Sequence, residues 1–140
     1  MKLIKCNINI NPEPPFKDRI SLMKYFFSIA RLAAARSPCP LGKRHGAVLT
    51  NKGYIISVGY NGPASGITHC EKCLLEIEKE KSNIKSWDIC PAIHAEENSI
   101  LTAAKFGMNI DGLIMYTTKR PCEKCISRMI NSGIKEVYFL

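Results

Sequence analysis

Two short clusters in the second half of the chain carry residue types that can do chemistry: His94-Ala95-Glu96 and Pro121-Cys122-Glu123-Lys124-Cys125. One neutral imidazole and two thiolates suit Zn²⁺, and three protein ligands leave its fourth position open, as in catalytic rather than structural sites. Such a metal lowers the pKa of a bound water to about 7, which makes hydroxide available at neutral pH. Glu96 is not needed as a ligand and can take a proton from that water and return it elsewhere. Each cluster alone is weak. A Cys-x-x-Cys pair also serves in redox chemistry or as half of a zinc knuckle. Together, each at a helix start and separated by one strand, they point to a catalytic metal held by His94, Cys122 and Cys125.

Placement at a helix start matters. In mid-helix, residues two apart point to different sides, so His94 and Glu96 could not serve one ion there. Where the first residue is not yet helical, both can face a site beyond the helix end. One helix is expected from about His94 to Phe106, with Gly107 as its stop. Another opens at Pro121, a residue type favoured at the first helical position, and closes at Gly133. Cys122 and Cys125 are three apart and share a face, and helix N-termini favour thiolate over thiol.

Upstream, Leu22, Tyr25, Phe26, Ile29, Leu32 and Ala33 recur at three- and four-residue spacing, which predicts an amphipathic helix from Asp18 to about Arg36. Ser37-Pro38 ends it, because the residue before proline avoids helical angles. Gly46 to Thr50 and Tyr54 to Gly59 read as strands joined by a three-residue hairpin, Asn51-Lys52-Gly53, with Gly53 at positive φ. Asn61 to Gly66 is a turn-rich loop. Cys70 to Lys85 is charged, and is either helical between Glu71 and Lys81 or a long insertion. Leu113 to Thr117 and Glu136 to Leu140 are β-prone. The order α-β-β-α-β-α-β, ending in a parallel βαβ crossover, predicts an α/β fold with helices on the faces of its sheet.

Length and composition set the remaining bounds. The 140 residues, 46% of them apolar, fit a single domain over 18–140 behind an extended lead-in over 1–17 that carries Asn11-Pro12-Glu13-Pro14-Pro15. The most apolar stretch, Leu22 to Ala35, is too short to span a membrane and is interrupted by Lys24 and Arg31. The start lacks the h-region of a signal peptide, so a cytoplasmic protein is expected. In that reducing compartment seven cysteines, an odd count, suit metal binding better than disulfides. The net charge of +8 favours anionic partners such as nucleotide phosphate or RNA, or is simply a solvated basic surface.

Several stretches together resemble the deoxycytidylate deaminase branch of the cytidine deaminase superfamily, over roughly residues 20 to 140. They are Gly46-Ala47-Val48-Leu49, Gly59-Tyr60-Asn61-Gly62, His69-Cys70, His94-Ala95-Glu96-Glu97-Asn98-Ser99-Ile100, Met115-Tyr116-Thr117-Thr118, Pro121 to Cys125, Gly133-Ile134 and Val137-Tyr138. His-x-Glu followed by Pro-Cys-x-x-Cys is the pattern of zinc deaminases of nucleobases. The long segment between Asn61 and His94 is typical of this branch.

The resemblance implies a three-layer α/β/α fold with a mixed sheet. It implies a catalytic Zn²⁺ and deamination of dCMP to dUMP plus ammonia, supplying pyrimidine nucleotide for dTMP synthesis. Water adds at C4 of the base, Glu96 protonates N3, and ammonia leaves. The backbone N–H of Ala95 would contact the base carbonyl, and Asn61 the base or sugar; asparagine there also suits a turn at positive φ. Lys43 and Arg44 could reach a 5′-phosphate. Several members carry a second, structural zinc, for which Cys39, Cys70, Cys73 and Cys90 are candidates, with His69 able to replace one; free buried thiols are the alternative. Members are often hexamers activated by dCTP and inhibited by dTTP, so a homo-oligomer (hexamer or dimer) with such effectors is expected. Two features depart from the pattern. Pro63 directly follows Gly62, where relatives commonly have proline one residue later. The sequence also stops at Leu140, where relatives add a helix and often a strand, and an edge left open there would favour oligomerisation.

Two other readings compete. A deaminase acting on RNA or tRNA is favoured only by the basic charge. A non-catalytic module would use Cys70, Cys73, Cys122 and Cys125 as one four-thiolate zinc ribbon, but it leaves His94 and Glu96 without a role.

Overall fold

Six residues, Gly46–Asn51, form the central strand of the fold, and its burial explains the rest. Ala47, Val48 and Leu49 are all fully buried although successive side chains of a strand point to opposite faces. Both faces must therefore be covered. The computed structural model describes residues 1–10, 18–74 and 89–140. Within them, strands β1 (Lys2–Lys5), β2 (Gly46–Asn51), β3 (Tyr54–Tyr60), β4 (Ile114–Thr117) and β5 (Glu136–Phe139) form one sheet in the order β1-β5-β4-β2-β3. The β1–β5 and β4–β5 pairs are parallel, and β2 runs antiparallel to both β3 and β4. The sheet is mixed, as expected.

Helix α1 (Leu22–Ala35) covers one face, packing Phe26, Phe27 and Ala30 against Val48 and Tyr116. Helices α2 (Ala95–Lys105) and α3 (Glu123–Asn131) cover the other. There Ala95, Ala103, Cys125 and Met129 meet Ala47, Leu49, Met115 and Val137. Phe27 is wholly buried, and truncating such a side chain to alanine costs about 3–5 kcal/mol. The three-layer α/β/α architecture follows directly from this alternation. Ser21 caps α1, its hydroxyl accepting from the Lys24 N–H at 3.2 Å, so the helix begins four residues later than Asp18.

Four local expectations are corrected. The hairpin between β2 and β3 has a two-residue loop, because Asn51 already pairs with Tyr54. Lys52 (φ 45°) and Gly53 (φ 96°) both take left-handed angles, the geometry of a type I′ turn, whose twist matches the flanking strands. Further along this pair, Leu49 faces Ser57 while Thr50 faces Ile55, so Ile56 forms a β-bulge. Pro121 is not the first helical residue. Cys122 is the extended N-cap of α3 (φ −75°, ψ 162°), and Pro121 precedes it. Finally, the stretch Lys2–Lys5 is not merely a lead-in: it lies parallel against β5 and covers the edge expected to stand open beside Glu136–Phe139. A four-residue strand with a partner at the far end of the chain leaves little local signature. Residues 11–17 of the lead-in, and most of the helix expected between Glu71 and Lys81, lie outside the described residues. No helix among the described residues is long and apolar enough to cross a membrane.

Candidate active site

His94 and Cys122 occupy the same structural position in two helices. Each is an N-cap with extended backbone, His94 at φ −70°, ψ 156°, so its side chain projects beyond the first turn instead of along it. Cys125 follows one turn inside α3, and Glu96 is the second residue of α2. The imidazole Nδ1 of His94 lies 3.5 Å from Cys122 Sγ and 3.4 Å from Cys125 Sγ. For a tetrahedral ion with Zn–N near 2.1 Å and Zn–S near 2.3 Å, a nitrogen and a sulfur ligand stand about 3.6 Å apart. The observed separations match, and the three ligand atoms lie within 4.8 Å of one another. The donor set and its spacing fit one Zn²⁺. Three donors leave a tetrahedral ion one open position.

The site has a wet rim and a dry floor. His94 and Cys122 are exposed, Cys125 is buried, and Glu96 retains 8% of its exposure. Burial pushes the Glu96 carboxyl up, which its own backbone N–H, His94 and Cys125 partly counter. Burial likewise pushes the Cys125 thiol up, assisted by Glu96 and Cys122. The partial positive charge of the helix start was expected to favour a thiolate there. In the fold, desolvation outweighs it, so Cys125 keeps its proton until a cation displaces it.

Several contacts hold the two helix starts in place. Gly59 on β3 passes directly under α2: a Cβ there would collide with the Ala95 carbonyl oxygen and the Ser99 nitrogen. Ser57 and Ser99, both buried, share a 2.8 Å hydroxyl contact, and Ser57 also donates to the Ser99 carbonyl at 2.8 Å. Asn98 Nδ2 donates to the Tyr60 carbonyl at 2.8 Å. Gly62 and Ile93 form an antiparallel bridge that brings the chain after β3 alongside the residue preceding His94. Arg128 of α3 reaches Glu97 of α2 at 3.2 Å. Of these, only Gly59, within Gly59-Tyr60-Asn61-Gly62, carried a sequence signal. The serine pair and Asn98 look like ordinary helix and strand residues until the sheet is assembled.

Asn61 is buried at 9% exposure and does not take positive φ; among the described residues Lys52 is the one non-glycine that does. Its side chain is a clamp instead. Oδ1 accepts from the His45 N–H at 2.7 Å, and Nδ2 donates to the Lys43 carbonyl at 2.9 Å. Ala95, at 1% exposure, opens α2, where a first-turn N–H has no partner within the helix. Cys39, Cys70, Cys73 and Cys90 all line one cleft beside Asn61. Among the described residues, however, His94, Cys122 and Cys125 are the one group whose ligand atoms converge. The four-thiolate ribbon fails on the same geometry, since Cys122 and Cys125 meet His94 and not Cys70 and Cys73.

A family model described as the cytidine and deoxycytidylate deaminase zinc-binding region matches residues 20–140. The chain belongs to this family. It is 40% identical over 125 residues to ComE operon protein 2 of Bacillus subtilis, covering 87% of this chain and 60% of that protein. It is 36% identical over 139 residues to the deoxycytidylate deaminase of Schizosaccharomyces pombe, covering 99% of this chain and 41% of the relative. The chain thus spans well under two thirds of the length of both. The phage T4 deoxycytidylate deaminase is 32% identical over 142 residues, with 79% of this chain and 73% of that enzyme covered. Among solved structures, the apo dCMP deaminase of cyanophage S-TIM5 superimposes with a TM-score of 0.67 at 28% identity, covering 84% of this chain and 81% of the other. The same phage enzyme has been crystallised with dCMP and dUMP. The shared fold and the zinc-binding region agree with the group built here from His94, Cys122 and Cys125.

Proposed function

We propose that the chain catalyses zinc-dependent hydrolytic deamination of a cytosine nucleotide, dCMP to dUMP and ammonia, and so supplies pyrimidine nucleotide for dTMP synthesis. The observation that carries this is the meeting of one imidazole and two sulfurs beside the buried Glu96. His94, Cys122 and Cys125 are the ligands. When bound, zinc supplies Lewis-acid activation of a water.

The other steps fall to the chain's own groups. Glu96 accepts the proton that the water gives up as its oxygen attacks C4, and hands it to N3 of the base. A second proton goes to the exocyclic nitrogen, the C4–N bond breaks, and ammonia departs, leaving uracil. A carboxyl whose pKa is raised by burial is suited to this, because it both takes and returns a proton near neutral pH. The Ala95 N–H, free within its helix, is the donor assigned to the base carbonyl. Asn61 is assigned to base or sugar through the donor and acceptor capacity left over from its clamp.

Finer assignments rest on the family and on position. The cleft shared by Cys39, Cys70, Cys73 and Cys90 supports a second, structural zinc, reached by a small movement of their thiols. Exposed Leu22, Tyr25 and Leu32 on α1, with Tyr54 on β3, support a homo-oligomer, dimer or hexamer. That support replaces the edge beside β5, which β1 already covers. Regulation by dCTP and dTTP is carried over from the family, as is a cytoplasmic location, with which seven unpaired cysteines accord.

Ammonia release from dCMP, CMP, dCTP and tRNA, with zinc content measured on the same sample, tests the proposal. Turnover of dCMP by protein holding at least one zinc supports it. Zinc-loaded protein that is inert on the nucleotides but active on tRNA would transfer the site to RNA. Zinc-loaded protein inert on all four would end the enzymatic reading.

A further inference from the structure

Two polar side chains at the mouth of the site have no partner in the fold. His45 immediately precedes β2, and Lys119 lies two residues beyond β4. Because β2 and β4 are antiparallel neighbours, the start of one lies beside the end of the other. The Thr118 N–H donates to the Gly46 carbonyl at 3.0 Å, and the Gly46 N–H donates to Thr118 Oγ1 at 3.1 Å. This exchange fixes the backbones of His45 and Lys119 next to each other. From the opposite flank Asn61 grips His45 twice: Oδ1 accepts the His45 N–H, and the Asn61 N–H donates to the His45 carbonyl at 3.2 Å. A buried amide is thus committed to holding the 43–45 loop in one place.

The side chain so positioned is not used by the fold. The His45 imidazole is half-buried, yet among the described residues it makes no hydrogen bond. The Lys119 ammonium, exposed, likewise has no hydrogen-bond or ion-pair partner among the described residues. A half-buried polar ring without a partner is unfavourable unless something supplies one. Burial lowers the imidazole pKa, and the positive charges of Lys119 and His94 lower it further. The ring therefore lies within electrostatic reach of both the ammonium and the metal group. His45 and Lys119 also stand on the sheet rim at the carboxyl ends of β3 and β4, where open α/β sheets take their ligands. An imidazole N–H and an ammonium side by side match one chemistry well: a dianionic phosphate, which accepts charge-assisted hydrogen bonds from both.

We propose that His45 and Lys119 form the 5′-phosphate subsite and make the site prefer a nucleoside monophosphate over the nucleoside. This rests on the cytosine-nucleotide reading of the metal site. It moves phosphate recognition from Lys43 and Arg44, whose side chains are exposed, to the two groups whose backbones are fixed from both flanks.

The test uses the zinc-loaded full chain, with calorimetric binding of dUMP and of 2′-deoxyuridine, and kcat/KM for dCMP and for deoxycytidine. Wild type, His45→Leu, Lys119→Ala and Lys119→Arg are compared, each checked by thermal melting; His45→Gln replaces His45→Leu if the latter does not fold. Wild type should bind dUMP more tightly than deoxyuridine. His45→Leu and Lys119→Ala should each reduce that affinity ratio about 10- to 100-fold, with the loss in KM for dCMP exceeding that in kcat. Lys119→Arg should keep most of the ratio. The proposal is overturned if wild type binds dUMP no better than deoxyuridine, or if both variants leave the ratio within about twofold. Failure of the underlying reading looks different: wild type then releases no ammonia from any cytosine substrate, while the binding ratio still reports on the phosphate contact.

Discussion

Gly59 and Ala95 approach so closely that no side chain fits between β3 and the first turn of α2. That turn carries Glu96 and is capped by His94, so the spacing of sheet and helix sets where the metal group stands. Replacing Gly59 with alanine must push α2 outward. A loss of about 1–3 kcal/mol is expected, with reduced zinc occupancy. Melting temperature and zinc stoichiometry check this, and a variant matching wild type in both would show that the close approach is not needed.

Glu96→Gln keeps shape and hydrogen bonding but cannot hold the transferred proton. Zinc content should be unchanged while kcat falls by about 10²- to 10⁴-fold. Elemental analysis alongside ammonia release separates the roles. Loss of zinc from this variant would make Glu96 a ligand and remove it from proton transfer.

Metal binding should be coupled to proton release. Burial holds the Cys125 thiol protonated in the absence of a cation, and only the thiolate ligates. Apparent zinc affinity should therefore rise with pH, by about tenfold per unit for each proton displaced. Competition against a chelator across about pH 6 to 8 measures the slope. A flat profile contradicts the buried-thiol description. Zinc removal should also lower the melting temperature, since the ion bridges the starts of α2 and α3.

Tyr138 gives a readout far from the metal. Its hydroxyl donates to Glu136 Oε2 at 2.8 Å, and this bond, with burial second, pushes its pKa up to about 12. An unfolded tyrosine titrates near pH ~10, so the folded state binds this proton more tightly. The resulting stabilisation is complete below pH ~10 and disappears as pH rises through about 12. Tyr138→Phe, which retains a ring able to stack on Tyr116 at 5.1 Å, should remove that part of the alkaline dependence. Tyrosinate absorbance during titration provides the check: equal late-titrating amplitude in both proteins would exclude the assignment.

Much of the centre was legible because its parts are local. An imidazole, a carboxylate and two sulfurs sit within four residues of a helix start, and helix starts are written in short-range signals such as Gly107 and Gly133 behind them. Strand identity was legible in the same way, from alternation in Gly46–Asn51 and Tyr54–Tyr60. Where local signals were mixed, the prediction drifted. Lys52 tolerates a left-handed angle because the strand twist requires it, and nothing in its side chain announces that.

Residue types and spacing by themselves determined the metal's chemical class, the three donors, the acid–base partner and the α/β alternation. These depend on covalent neighbours and on backbone preferences a few residues long. Tertiary structure alone decided that Lys2–Lys5 closes the β5 edge, that the four remaining cysteines share a cleft without converging, and that Asn61 holds His45 beside Lys119. Those relationships join segments dozens of residues apart, and only strand order and sheet register bring such groups together.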